Sequence, residues 1–70
     1  VIELSAEEFE ALTLSDAKGI SQTNTATEMN TSQSTFQRIL ASARAKVARA
    51  IAYGAAIKID HPMTSKEHTD

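Results

Sequence analysis

Seventy residues, no cysteine and a formal net charge of −2 define the starting limits. A chain of this length makes one domain at most and buries too little surface to be more than marginally stable alone, so a homodimer is expected. The composition excludes a disulfide framework and a thiolate metal site. No apolar run approaches the roughly 20 residues that span a bilayer, and no signal-peptide pattern opens the chain, so the default is a soluble cytoplasmic protein. The first residue is Val rather than Met, which suggests a piece of a longer chain.

Val1 to Leu4 is short, apolar and β-branched at its start, and reads as a strand. Ser5-Ala6-Glu7-Glu8 spells a capping box, in which Ser5 and Glu8 satisfy each other's backbone amides. The acids of this first turn also suit the positive end of a helix dipole. The helix that follows is expected to run to about Lys18. It carries Phe9, Leu12 and Asp16 on one face and Ala11 and Leu14 on another. Gly19 stops it, with Ile20 as the apolar contact behind. Ser21 caps a second helix over about Gln22 to Met29. Thr23, Asn24, Thr25 and Thr27 are weak helix formers there, so Ala26 and Met29 must hold it by packing.

Asn30 can take the left-handed conformation that ends a helix, Thr31 crosses the turn, and Ser32 is a ready N-cap. The third helix is predicted over Gln33 to Tyr53. Its core stripe is Phe36, Leu40, Ala43, Val47 and Ala50, widened by Ile39 and Ile51. Arg38, Ser42, Lys46 and Arg49 fall on its polar side, and Gly54 stops it. Ala55 to Asp60 alternates as a strand, which must pair with Val1–Leu4 or with a second protomer. Pro62 ends the strand, and 61–70 reads as a disordered tail after a domain at 1–60.

Two helices joined by so tight a turn read as a helix-turn-helix, which places the start of its second helix in the DNA major groove. The outer face there offers Gln33, Ser34, Gln37 and Arg38. Gln can pair bidentately with adenine, and Arg with guanine or a phosphate. Ser32, Thr35, Lys46 and Arg49 are placed to hold phosphates, as Ser34 also could. Arg44 is better spent on Asp16, an odd polar residue on the Phe9–Leu12 face. Charge is segregated to match. Residues 1–28 hold six acids against Lys18, a net of −5, while 29–59 hold five bases and no acid, a net of +5. Such a basic half can create a local positive field. The alternative is that the two halves simply pair with each other.

Other chemistries fare poorly. His61 and His68 lie too far apart, with too few companions, to hold a metal. The two glycines are helix stops rather than a phosphate-binding loop. Glu7, Glu8 and Glu10 are explained by the helix start, and no nucleophile–base pair is visible. Neither an enzyme nor a cofactor, metal or small-molecule substrate is expected.

With these residues laid out, the chain resembles a prokaryotic family listed as domain of unknown function 134, or uncharacterised protein family 0251. The matching phrases are Leu4 to Asp16, Ala26 to Leu40, Ala43 to Ala50 and Gly54 to Ile59, which cover roughly residues 1–60. The resemblance implies a DNA-binding domain whose helix-turn-helix looks like region 4 of bacterial sigma factors. The sequence departs from the family habit in several places. Thr25 stands where a small apolar residue is usual, Asn30 where Gly is, and Thr31 where Val or Ile is. Gln33 replaces an Arg, which removes a candidate base or phosphate contact. A basic, Cys-containing segment usually precedes the position of Val1, and a Gly-rich ending is common where Asp60-His61-Pro62 stands here.

The reading is an all-α, three-helix helix-turn-helix domain with a short strand at each end. It would act as a DNA-binding transcriptional regulator on double-stranded DNA, dimerising through the end strands and the Ala-rich half of the third helix. The rival is a dimerisation or protein-docking module that keeps the fold without binding DNA. The acidic first helix and Gln33 favour it.

Overall fold

A computed structural model describes residues 1–60. The chain order is β1 (Ile2–Leu4), α1 (Ala6–Ala11), a π-helical segment (Leu12–Ala17), α2 (Gln22–Glu28), α3 (Gln33–Tyr53) and β2 (Ile57–Ile59). The expected tail and the expected stop at Pro62 lie outside the described residues.

Each helix start is built by a serine hydroxyl. Ser5 accepts from the Glu8 amide at 3.1 Å, and Glu8 reciprocates by accepting from the Ser5 amide at 2.9 Å, which completes the capping box. Ser21 accepts from the Asn24 amide and Ser32 from the Thr35 amide, each at 3.2 Å. The ends are equally specific. Asn30, at φ 60°, lets its own amide reach the Thr27 carbonyl and the Thr31 amide reach the Ala26 carbonyl, both at 3.0 Å. Gly54, at φ 65°, repeats this double bond, with Ala55 N–H on the Ala50 carbonyl at 2.9 Å. These Schellman closures take up carbonyls that the helix ends would leave unpaired.

The first helix departs from the expected regular α-helix to Lys18. From Leu12 it widens to a π-helix, seen in the bond from Lys18 N–H to the Thr13 carbonyl at 2.9 Å. Thr13 offers a local cause: its hydroxyl donates to the Phe9 carbonyl at 2.8 Å, engaging the acceptor one turn back. The wider turn changes the angular phase of everything after it.

The core is small. Phe36 and Ala11 are fully buried, with Leu40 and Ala26 beside them and Leu12, Met29 and Ile39 packed around. Alanine at 11 and 26 lets α1 and α2 approach the Phe36 ring closely. Thr25 is also fully buried, and its hydroxyl donates to the Ser21 carbonyl at 2.9 Å. The threonine-rich α2 thus hides one of its hydroxyls against its own backbone, so burial carries no desolvation loss. Ile51 is a correction. Expected to widen the core stripe, it is 77% exposed, as is Tyr53 at 74%. The last turns of α3 bury only the Ala50 side, so the opposite face has nothing to pack on.

The two strands close the described fold. β1 and β2 pair within the chain as a parallel two-stranded sheet, with Ile2, Glu3 and Leu4 opposite Ile57, Lys58 and Ile59. A parallel pair this short is stable only when packed. Leu4 supplies that anchor, since it is buried.

The backbone at Asn30 yields a test. A left-handed residue without a Cβ is unstrained, so Asn30→Gly should stabilise the chain by about 0.5 kcal/mol. Asn30→Ala should destabilise it by about 1 kcal/mol. Urea unfolding followed by circular dichroism reads both; equal stability of the two variants would contradict the closure described.

Candidate nucleic-acid interface

The outer face of α3 begins at its cap. Ser32, Gln33, Ser34, Thr35, Gln37 and Arg38 are all exposed over the first two turns. The Ser32 hydroxyl donates to the Thr35 hydroxyl at 3.0 Å while accepting from its amide, which fixes both side chains at the helix start. Gln33 donates from Nε2 to the Thr23 hydroxyl at 2.9 Å, and Gln37 from Nε2 to the Gln22 Oε1 at 3.3 Å. These two amide bridges tie α3 across to α2. Each glutamine still carries a second amide N–H for another acceptor. The sequence sets these residues on the outside of the helix, and all six are exposed. It gave no sign that two of them also brace the helix pair.

The basic residues divide. Arg44 grips Asp16 with a two-point contact, Nε to Oδ2 at 2.9 Å and Nη2 to Oδ1 at 2.7 Å. That is the pairing expected for it. The Arg44 hydrogen bonds are the main reason the Asp16 carboxyl sits below its ordinary value, and Asp16 in turn raises Arg44. Lys58 lies 3.9 Å from Glu3 across the sheet, with both side chains 71% exposed, so that pair contributes little.

Lys46 is the correction. Expected to hold phosphate, it turns to α1 and donates from Nζ to Glu8 Oε1 at 2.9 Å. Ser42, one turn earlier on α3, donates to Glu8 Oε2 at 2.6 Å. The Glu8 carboxylate therefore takes the Ser5 amide, the Ser42 hydroxyl and the Lys46 ammonium together. Burial, the largest single influence, pushes its pKa up. The three hydrogen bonds and the Lys46 charge together outweigh it, leaving Glu8 at about 2, from an ordinary 4.5. A signal for this was available: Glu8 shares its helix face with Ala11, three residues on, so its carboxylate had to face the protein.

Three of the five bases in residues 29–59 are thus matched by acids from residues 1–28. The pairing of the two halves largely takes place, and the broad positive field does not survive intact. Among the described residues, Arg38 and Arg49 are exposed and form no ion pair. The described residues hold no group of three or more His, Cys, Asp or Glu fit for a metal. No helix among them is long and apolar enough to cross a membrane.

The Glu8 cluster sets a pH dependence. A carboxyl depressed on folding adds stability above its unfolded value, and that contribution is lost as pH falls through about 4.5 towards 2. Asp16 acts in the same direction. Unfolding free energy should therefore fall between about pH 4.5 and pH 2, and Glu8→Gln should flatten that limb while lowering stability at neutral pH by about 2 kcal/mol. An acid limb of unchanged slope in Glu8→Gln would show that the carboxylate is not the group responsible.

Comparison with known proteins fits this architecture to a family. No solved structure gives a significant match. A UPF0251 protein of Dehalococcoides mccartyi is 52% identical over 58 residues, covering 83% of this chain and 50% of that protein. One from Shewanella baltica is 49% identical over 61 residues, 87% of this chain and 62% of its own. One from Desulforudis audaxviator is 49% identical over 57 residues, 81% of this chain and 37% of its own. The chain spans about half the length of the curated relatives it matches. Residues 1–63 match the family model described as protein of unknown function DUF134, and the chain belongs to that family.

Proposed function

We propose that this chain is a helix-turn-helix DNA-binding module, akin to sigma region 4, that serves a transcriptional regulator as a homodimer. The observation that carries the reading is the α2–turn–α3 unit. Asn30 and Ser32 fix the turn, Ala26 and Phe36 close it underneath, and Gln33, Ser34, Gln37 and Arg38 stand exposed on the first turns of α3. A helix start presents unpaired amides and a positive dipole end, to which Ser32 and Thr35 add hydroxyls. Gln33 and Gln37 use their remaining amide groups on base edges, and Arg38 takes guanine or a phosphate. Arg49 holds a backbone phosphate further along. Lys46 belongs to the fold instead.

Selection from a randomised duplex pool at about 50 mM salt, read by fluorescence anisotropy, tests this. Enrichment of a palindromic site, lost in Gln37→Ala/Arg38→Ala, is the expected result. No enrichment from a folded chain would favour the protein-docking alternative, for which the exposed Glu7 and Glu10 of α1 are the supporting observation.

The two classes of base give a sharper prediction. Arg49→Ala should weaken duplex binding and reduce the salt slope by about 1, with unfolding unchanged. Lys46→Ala should leave the salt slope alone and lower stability by about 1–3 kcal/mol, because it strands Glu8. Salt titrations and urea unfolding of both variants separate the outcomes; a slope change in Lys46→Ala would return it to the DNA face.

A further inference from the structure

The strongest feature outside that face is the β2 edge and the groove beside it. Flanking bonds fix the parity of the ladder. Ile2 N–H donates to the Ala56 carbonyl at 2.9 Å, and Asp60 N–H donates to the Leu4 carbonyl at 3.0 Å. Even-numbered residues of β2 therefore address β1, and Ile57 and Ile59 turn their N–H and C=O groups to the opposite edge. Among the described residues nothing pairs with that edge. The side chains of Ile57 and Ile59 are 39% and 40% exposed. With Leu4, Phe9, Leu12 and Val47 they line an open apolar groove of about 520 Å³. No residue of α2 or of the first half of α3 contributes to it. An unpaired edge strand beside exposed apolar side chains is a template for another strand.

We infer that a second copy of this chain occupies this edge. It pairs antiparallel to β2 about a twofold axis at Ile59, giving a four-stranded sheet in the order β1–β2–β2–β1. Charge selects the occupant and the register. An axis at Lys58 would set Lys58 against its own copy, a like-charge pair. An axis at Ile59 sets each Lys58 opposite Asp60 of the other copy, twice by symmetry. Ile59 then faces Ile59, and its outward N–H and C=O form the central hydrogen-bonded pair. Lys58 is available for this, since its present contact with Glu3 is long and exposed. The strands alternate, so the isoleucines stay on the groove side and the two grooves join across the axis. The DNA-facing residues stay clear of the interface. The inference deepens the homodimer half of the proposed function by naming the surface that makes it.

The absence of cysteine makes a clean test possible. In a hydrogen-bonded antiparallel pair the opposed Cα atoms lie about 5.5 Å apart, within reach of a disulfide. Oxidising Ile59→Cys with glutathione disulfide should give a covalent dimer, while Lys58→Cys and Glu3→Cys should give little. Sedimentation velocity of the 70-residue chain should show a dimer. Asp60→Lys should weaken it about tenfold, and Lys58→Asp/Asp60→Lys should restore it. A chain that stays monomeric at about 0.1 mM overturns the inference. So does a dimer indifferent to Asp60→Lys that fails to cross-link through position 59. A cross-linked dimer that ignores duplex DNA sinks the DNA reading alone. A monomer that still selects a site sinks this pairing alone.

Discussion

The Glu8 carboxylate is the point on which the arrangement of the chain depends. It closes the N-terminus of α1 through Ser5 and fastens α1 to the middle of α3 through Ser42 and Lys46. One side chain therefore sets both where the first helix begins and where it lies. The tether matters because the core it borders is slight. Phe36 is its one aromatic ring, and alanines supply much of the rest. Alanine contacts bring helices close but remove little apolar area from water. In a domain this small, a nearly buried carboxylate with three donors supplies direction that the apolar core alone lacks.

A second constraint follows from the first. With α1 held against α3, Leu4 enters the core just ahead of Ser5 and carries β1 with it. The Schellman closure at Gly54 then reverses the chain so that β2 runs beside β1. The parallel sheet is thus a consequence of two helix ends. Its three-residue strands add little stability of their own, but their register exposes the Ile57–Ile59 edge.

Much of this was legible in the sequence, because caps and stops are local chemistry. Ser5–Glu8, Ser21, Ser32, Asn30 and Gly54 each act within a few residues, and each does what its spacing announces. The bond between Arg44 and Asp16 was legible too, since an acid on a mostly apolar face needs a partner. The π-helix was not, because the Thr13 hydroxyl engages the Phe9 carbonyl, a choice that residue spacing does not announce. Lys46 was misplaced for a related reason. Helical spacing put it in line with Arg38 and Arg49, but a long helix does not present one environment along its length. Ile51 failed in the opposite sense: its period is right, and the surface it would pack on ends before it.

The loss of Lys46 changes what the proposed DNA contact has to rely on. Counterion release scales with the bases that meet phosphate, and among the described residues only Arg38 and Arg49 in the basic half are unpaired. If the chain binds DNA as proposed, one copy therefore brings only a weak sequence-neutral attraction. Under the proposed reading, affinity must come from doubling the contact. Two copies on a palindrome double the phosphate count and convert the second docking into an intramolecular step. The edge that would join them lies on β2, off the DNA-facing turns, so assembly and DNA contact do not compete for surface. On the proposed reading, a domain that pairs three of the five bases of residues 29–59 with acids of residues 1–28 has more to gain from a second copy than one whose basic half is free.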